Sequence, residues 1–382
     1  MLLRPVGSDD PRDILRGLRG AVLGAGPALA LGAATALPVE VPPGTALVVT
    51  TSGSTGYPKS VALSRSALTA SALATAERVG SGAWLLALPA TYVAGAQVLV
   101  RALVSGREPA ILTGSFTATT FTAAASAMAA SEGGARVPTY TSLVPAQLQT
   151  LVDAADHEPS AARALASFEA ILIGGQALPP ALAERAAGHG ARVVRTYGST
   201  ETSGGCVYDG VPLPGVRMRV VDGEVQLNGP NLADGYLGDP DRTARAFVRD
   251  DEGLRWYRTG DGGEIVDGVL RVSGRLDNVI VSGGVNVSLD RVERVVRGIP
   301  GLTGAVVVGV PDERWGAASV VVIDRASSAG RSDAELLALV RAAVGDALGS
   351  PARPRQVRVV GAMPLLASGK PDRVALRRIA AG

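Results

Sequence analysis

Short, wholly apolar runs alternate with amphipathic stretches along this chain, and the alternation predicts most of its elements. Residues 46–49 are uninterrupted apolar positions, as a strand buried on both faces requires. A hydroxyl- and glycine-rich stretch follows, closed by Pro58 and Lys59, and residues 60–63 read as a second strand. Upstream, helical spacing covers 10–19. Downstream, Ser64 is placed to cap a helix that reaches residue 79 and stops at Gly80. Strands are expected at 83–89, 110–112, 136–140, 170–173 and 192–196, and helices at 92–104, 118–130, 145–155 and 180–188. Strands and helices in this alternation predict an α/β fold with a mostly parallel sheet covered on both faces.

From residue 207 the pattern shifts to short strands and turns, at 216–221, 224–227, 235–237 and 256–261. Gly274-Arg275-Leu276-Asp277-Asn278 reads as a linker, which divides the chain into an N-terminal unit, 1–274, and a smaller C-terminal α/β unit, 275–382. The latter is expected to hold helices at 289–297 and 333–348, strands at 305–310, 319–323 and 356–360, and a last helix after Pro371. Two units suit 382 residues, more than one core usually spans.

Composition removes several functions. A net charge of +2, with arginines that form no basic stripe among aromatics, gives no case for nucleic acid. One cysteine excludes an internal disulfide and a cysteine-rich metal site, and His157 and His189 lack ligand spacing. The uncharged runs 21–38 and 83–100 are broken by glycine and proline, and Asp9, Asp10 and Asp13 are wrong for a signal peptide, so both runs read as buried core. The expectation is a cytoplasmic protein without membrane insertion. Of 37 Lys+Arg, only Lys59 and Lys370 are lysines. Against that background a lysine points to a place where a compact ammonium must reach one oxygen.

The candidate chemistry gathers at strand ends, where ligands of open α/β sheets bind. Thr51, Ser52, Gly53, Ser54, Thr55, Gly56 and Lys59 form a phosphate loop inside a hairpin: glycines admit the anion, hydroxyls donate, and lysine adds charge. A nucleotide-kinase P-loop is excluded, because only two residues separate Gly53 from Gly56, Tyr57-Pro58 precede Lys59, and a strand rather than a helix follows. Gly174, Gly175 and Gln176 follow a strand and leave room for a flat ring. The loop from Tyr197 through Gly198, Thr200 and Glu201 to Gly204 offers a ring, hydroxyls and one carboxylate, and a carboxylate beside phosphates points to Mg²⁺. Asp261, after a glycine, suits the paired hydroxyls of a ribose.

Five segments carry a resemblance: residues 50–59, Tyr197-Gly198-Ser199-Thr200-Glu201, Tyr257-Arg258-Thr259-Gly260-Asp261, Gly274-Arg275-Leu276-Asp277 and Gly369-Lys370. In order and spacing the chain resembles the acyl-CoA synthetase family of adenylate-forming enzymes over nearly its whole length, and is shorter than typical members at its start. Residues 88–95, 141–148, 204–212 and 281–287 are similar to the branch of that family that activates o-succinylbenzoate in menaquinone biosynthesis. Tyr92 stands where the family often has His, and Ser199 where this branch often has Met.

The resemblance implies ATP, Mg²⁺ and the co-substrate CoA. It implies that residues 51–56 and Lys59 hold the β- and γ-phosphates, Thr200 the α-phosphate and Glu201 the metal. Gly174, Gly175, Gln176 and Tyr197 would frame adenine, with Gly198 also at the cofactor, Asp261 and Arg275 would hold the ribose, and Gly283 and Gly284 the pantetheine arm. Lys370 would bridge the attacking carboxylate and the α-phosphate, and Asp277 would be the hinge of a mobile C-terminal domain. Tyr92, Arg101, Ser142, Gln147 and Gly204 are expected at the acyl site, with Arg101, Ser142 and Gln147 toward a second substrate carboxylate. The partners are thus a small carboxylic acid and CoA, in a monomer or a homodimer. Competing readings are a ligase for another aryl or fatty acid, a nucleotide-binding module without catalysis, and, less expected, a carrier-loading domain.

Overall fold

A computed structural model describes residues 1–32, 37–51, 58–128, 131–328, 330–366 and 370–382. Strands Leu3–Pro5, Ala28–Leu31, Thr45–Thr51, Lys59–Ser64 and Gly235–Tyr236 form a first sheet in that order. Its first three strands are parallel, and the hairpin that follows is antiparallel, with Thr51 opposite Lys59. The second sheet runs Val211–Pro212, Gly204–Tyr208, Val193–Ser199, Ala170–Ile173, Thr139–Leu143, Ala83–Leu86, Ala110–Ile111. From Val193–Ser199 to Ala110–Ile111 it is parallel, and its first two strands are antiparallel.

The alternation, which taken alone reads as one mostly parallel sheet, is distributed over two, in agreement with the mixed and parallel sheets expected of this fold class. Periodicity marks each strand but not its partner, and the short connection between 51 and 59 forces an antiparallel pair that extends the first sheet. One apolar core joins the sheets, with Leu47, Val49 and Leu63 of the first meeting Trp84, Leu86 and Leu172 of the second. A second core, built on Leu85, Phe121, Leu143, Phe168 and Ile171, fills the opposite face of the parallel strands. Helices cover both sides, as continuous apolar strands require. The helix Arg65–Val79 starts where Ser64 Oγ accepts from Ala67 N at 3.1 Å and ends at Gly80.

A third sheet orders Arg217–Val221, Glu224–Asn228, Arg255–Val266 and Phe247–Arg249, with Val269–Arg275 paired to the long strand. In the C-terminal part, strands Val279–Ser282, Val285–Ser288, Val306–Asp312, Gly316–Asp324 and Gln356–Val360 form one sheet. Alternate residues of its central strands face opposite ways. Val307, Val321 and Ile323 pack under helices Leu289–Arg297 and Asp333–Leu348, while Val308, Val320 and Val322 meet Leu376 and Ala380 of helix Arg373–Ala381.

Several elements depart from the expected bounds. Helix Ala118–Ser126 ends before 130, and Pro138 displaces the strand expected from 136 to Thr139–Leu143. Helix Pro159–Ser167, unexpected, buries only Ala161, Ala164 and Leu165, a face too small to register as a pattern. Gly274 and Arg275 close a strand rather than open a linker, because Asp261 and Gly262 pair with them across the ladder. The uncharged runs hold strand Ala28–Leu31 and strand Ala83–Leu86 with helix Val93–Val104, and among the described residues no helix is long and apolar enough to cross a membrane.

Candidate active site

The hairpin Thr45–Thr51/Lys59–Ser64 is set by its two strands. Thr50 Oγ1 and Ser60 Oγ lie 2.9 Å apart across it, and Thr51 Oγ1 is buried with no partner among the described residues. Ser52, Gly53, Ser54, Thr55 and Gly56 lie outside the described residues. Lys59 opens the return strand and donates to Glu201 Oε1 at 2.5 Å; the Tyr236 hydroxyl donates to the same oxygen at 2.9 Å.

Glu201 belongs to a turn that was expected to be open loop. Tyr197-Gly198-Ser199 instead end strand Val193–Ser199, Thr200–Thr202 form one 3₁₀ turn, and Gly204 begins the antiparallel strand Gly204–Tyr208. Ser203 takes φ 52°, a conformation rare for a side-chain-bearing residue. It is held there by its own Oγ on Asn231 O at 2.9 Å and by Ser71 Oγ on its carbonyl at 3.1 Å. Asn231 Nδ2 also donates to Thr202 O at 2.9 Å. The turn therefore points Glu201, 2% exposed, at the loop's cation. Burial raises its carboxyl, but Lys59 and the hydrogen bonds it accepts outweigh that, and it titrates below the usual carboxylate range.

Strand register builds the neighbouring corner. Asp261 and Arg275 are cross-strand partners, and Arg275 Nη1 donates to Thr259 O at 2.6 Å and approaches Asp261 Oδ1 at 3.3 Å. Tyr197 reaches across from the second sheet, its hydroxyl 2.6 Å from Asp261 Oδ2. Burial raises the Asp261 carboxyl against the pull of Tyr197 and Arg275, and burial with the Asp261 charge raises the Tyr197 hydroxyl. The other face of the Arg275 fork grips Asp277, Nε to Oδ1 at 3.0 Å and Nη2 to Oδ2 at 3.1 Å.

Gly174 and Gly175 follow strand Ala170–Ile173, and a Cβ on Gly175 would lie 3.7 Å from Lys370 Cε. Lys370 thus enters the same cleft as Tyr197 and Glu201. Burial among protein atoms lowers its ammonium below the usual lysine range, against the Glu201 charge that raises it, although the residue keeps an exposed surface. Gln176 Oε1 accepts from Arg297 Nη1 at 3.4 Å.

The acyl candidates separate. Arg101, 6% exposed, lies against Ser142 Oγ at 3.5 Å and Tyr208 Oη at 3.3 Å, over the Trp84 ring at 5.1 Å. Among the described residues its Nε is buried without a partner, as is Oε1 of Gln97 one turn earlier on the same helix, and Gln97 Cγ would be 3.4 Å from a Cβ on Gly204. Gln147 is engaged at both ends: Oε1 accepts from Val144 N at 3.1 Å and Nε2 donates to Ala87 O at 2.8 Å. Tyr92 heads helix Val93–Val104, and burial and Asp9 raise its hydroxyl.

Gly283 and Gly284 belong to the C-terminal sheet. They form the two-residue turn of hairpin Val279–Ser282/Val285–Ser288, with φ values of 59° and 80°, and Trp315 covers Gly283. Both residues need positive φ in such a turn, which glycine alone adopts freely.

Among the described residues no three His, Cys, Asp or Glu side chains gather as a metal cage. A lone carboxylate whose side-chain hydrogen bonds both fall on Oε1 fits Mg²⁺, which takes few protein oxygens and completes its shell with phosphates and waters.

Residues 18–267 match the AMP-binding enzyme family, and residues 291–370 match the AMP-binding enzyme C-terminal domain. The chain belongs to the AMP-binding enzyme family. A probable 2-succinylbenzoate–CoA ligase of Mycobacterium tuberculosis (strain CDC 1551 / Oshkosh) is 42% identical to this AMP-binding enzyme over 347 residues, covering 88% of this chain and 85% of its own length. The 2-succinylbenzoate–CoA ligase of Salmonella typhimurium is 34% identical over 291 residues, covering 73% of this chain and 58% of its own length. A solved Escherichia coli MenE with bound OSB-AMS is similar with a TM-score of 0.72 at 26% identity, over 99% of this chain and 81% of that one. The fold is that of adenylate-forming enzymes, a large N-terminal α/β part with mixed sheets followed by a C-terminal domain.

Sequence reasoning missed four residues of this AMP-binding enzyme's cleft. Tyr236 and Asn231 orient Glu201 from a distant segment, and no local pattern marks them. Gln97 had a signal: it shares a helix face with Arg101, four positions on, in an otherwise apolar helix. Arg297 lies in an amphipathic helix rich in arginine, where nothing distinguishes it from its neighbours.

Proposed function

We propose that this AMP-binding enzyme joins 2-succinylbenzoate to CoA through an acyl-adenylate, with AMP and pyrophosphate as the other products. The observation that carries the substrate is Arg101, a buried cation with hydroxyls and a ring around it and no carboxylate paired with it among the described residues. A buried charge without a partner is costly, and a dicarboxylic substrate supplies the missing one. A fatty acid would leave Arg101 unpaired, which disfavours that alternative. The names of the ligases it resembles support the same acid.

In this reading Lys59, Thr51 and residues 52–56 take the β- and γ-phosphates and Thr200 the α-phosphate. Gly174, Gly175, Gln176 and Tyr197 frame adenine, with Gly198 also at the cofactor, and Asp261 with Arg275 takes the ribose hydroxyls. Glu201 would hold Mg²⁺, which when bound supplies charge neutralisation at the phosphates. Arg101 and Ser142 receive the second carboxylate, Gly204 and Tyr92 flank the acyl group, and Gln147 steadies the wall through Ala87 and Val144.

The reacting carboxylate is ionised near neutrality, so no general base is required. Its oxygen bonds to the α-phosphorus as the bond to the pyrophosphate oxygen breaks. Lys370 spans both reacting groups and sets its charge against the charge that develops between them. The C-terminal unit, 275–382, then turns about Asp277 and carries Gly283 and Gly284 to the cleft for the pantetheine arm. The CoA sulfur bonds to the acyl carbon, the bond to AMP breaks, and the thiol proton leaves to solvent.

Product analysis by mass spectrometry after incubation with MgATP, CoA and 2-succinylbenzoate, beside benzoate and a medium-chain fatty acid, tests this. The 2-succinylbenzoyl thioester with little product from the other acids is the expected result. A thioester from a different acid would overturn the substrate, and no AMP from any acid would overturn the activity.

A further inference from the structure

The C-terminal domain touches the Gly174-Gly175-Gln176 turn at two points. Lys370 lies over Gly175, and Arg297, the last residue of helix Leu289–Arg297, donates to Gln176. The Arg297 side chain is 11% exposed, and the rest of its guanidinium is held within its own domain, by Glu293 Oε1 at 2.9 Å and Ala305 O at 2.7 Å. Glu293 is fixed in turn. Its Oε2 accepts from Val307 N at 2.9 Å and from Arg373 Nη2 at 2.7 Å. Arg373 opens the final helix just after Lys370-Pro371-Asp372, and Asp372 caps that helix through Val374 N and Ala375 N. The contacts therefore close a ring: Gln176 to Arg297, to Glu293, to Arg373, back along the chain to Lys370, and across to Gly175.

We infer that Arg297 is a positioning residue for Lys370: it docks the C-terminal domain on the adenine-side turn and so supports adenylate formation but not thioester formation. A planar guanidinium fixed at two of its nitrogens presents its third with little freedom, so the contact with Gln176 sets an orientation as well as an attraction. Turning the C-terminal domain away breaks that contact together with the approach of Lys370, which is why the second half-reaction should not need it. The inference rests on the adenylation reading above.

The test compares full-length Arg297→Lys and Arg297→Met with wild type in two separate assays. One is ATP–pyrophosphate exchange with 2-succinylbenzoate, the other thioester formation from synthetic acyl-adenylate and CoA. Exchange should fall about tenfold, the loss of one charge-assisted hydrogen bond, while thioester formation stays within about twofold of wild type. Retained thioester formation also reports a folded protein, and Arg297→Lys keeps a cation beside Glu293 should Arg297→Met melt early. Equal losses in both assays, or no loss in either, would overturn the inference and leave the adenylation reading standing. Wild-type protein that exchanges pyrophosphate with no acid would overturn the adenylation reading and this inference with it.

Discussion

Lys59 Nζ stands 2.5 Å from Glu201 Oε1, tying the strand that leaves the phosphate loop to the turn that ends the parallel strands of the second sheet. An ion pair thus links the two sheets. Each charge is neutralised by the other.

That pair makes stability depend on pH with a definite sign. The folded Glu201 carboxyl titrates below its unfolded value, so its contribution is present above the unfolded pKa and is lost as pH falls through the folded one. Thermal melts of wild type and Glu201→Gln should differ most near neutrality, begin to converge as pH falls below about 4, where a free glutamate protonates, and merge only below the lower folded value. A difference that persists unchanged in acid would rule out the ion pair as its source.

Gly198 offers a steric test. A Cβ there would sit 2.2 Å from Gly204 O and 2.8 Å from Gly205 Cα, both backbone atoms of the paired strand. Gly198→Ala should cost about 1–3 kcal/mol in a denaturant titration, typical of overpacking against atoms that cannot move aside. It should also lower activity, because the Thr200–Thr202 turn lies on the same hairpin. An alanine variant as stable and active as wild type would refute the crossing geometry.

Asp261→Asn keeps an acceptor for the Tyr197 hydroxyl but removes the charge facing Arg275. If Asp261 takes the ribose hydroxyls, the KM for ATP rises about tenfold while that for the acid stays level, as loss of one charged hydrogen bond predicts. An effect confined to the acid would place the ribose elsewhere.

Much of this was legible from residues alone, and the limits are physical. Helix 65–79 was readable because Ser64 and Gly80 mark its ends with local chemistry. Which strand joins which of the two sheets was not, since pairing of distant strands leaves no periodic trace. Lysine scarcity pointed to Lys59 and Lys370, yet the partners that hold Glu201, Tyr236 above all, come from a segment remote in sequence. Hairpin 279–288 was missed despite a readable sign, two glycines between alternating residues, because Gly274 to Asn278 was read as linker instead of strand end.

The most direct measurement concerns Arg101. Wild-type kcat/KM should favour 2-succinylbenzoate over benzoylpropionate, the same skeleton without the ring carboxylate, by about 100-fold, the worth of a buried charged hydrogen bond. Arg101→Met should bring that ratio to about 1 while leaving the KM for ATP unchanged. A ratio that survives the substitution would contradict the account, because the second carboxylate would then be read by some other group.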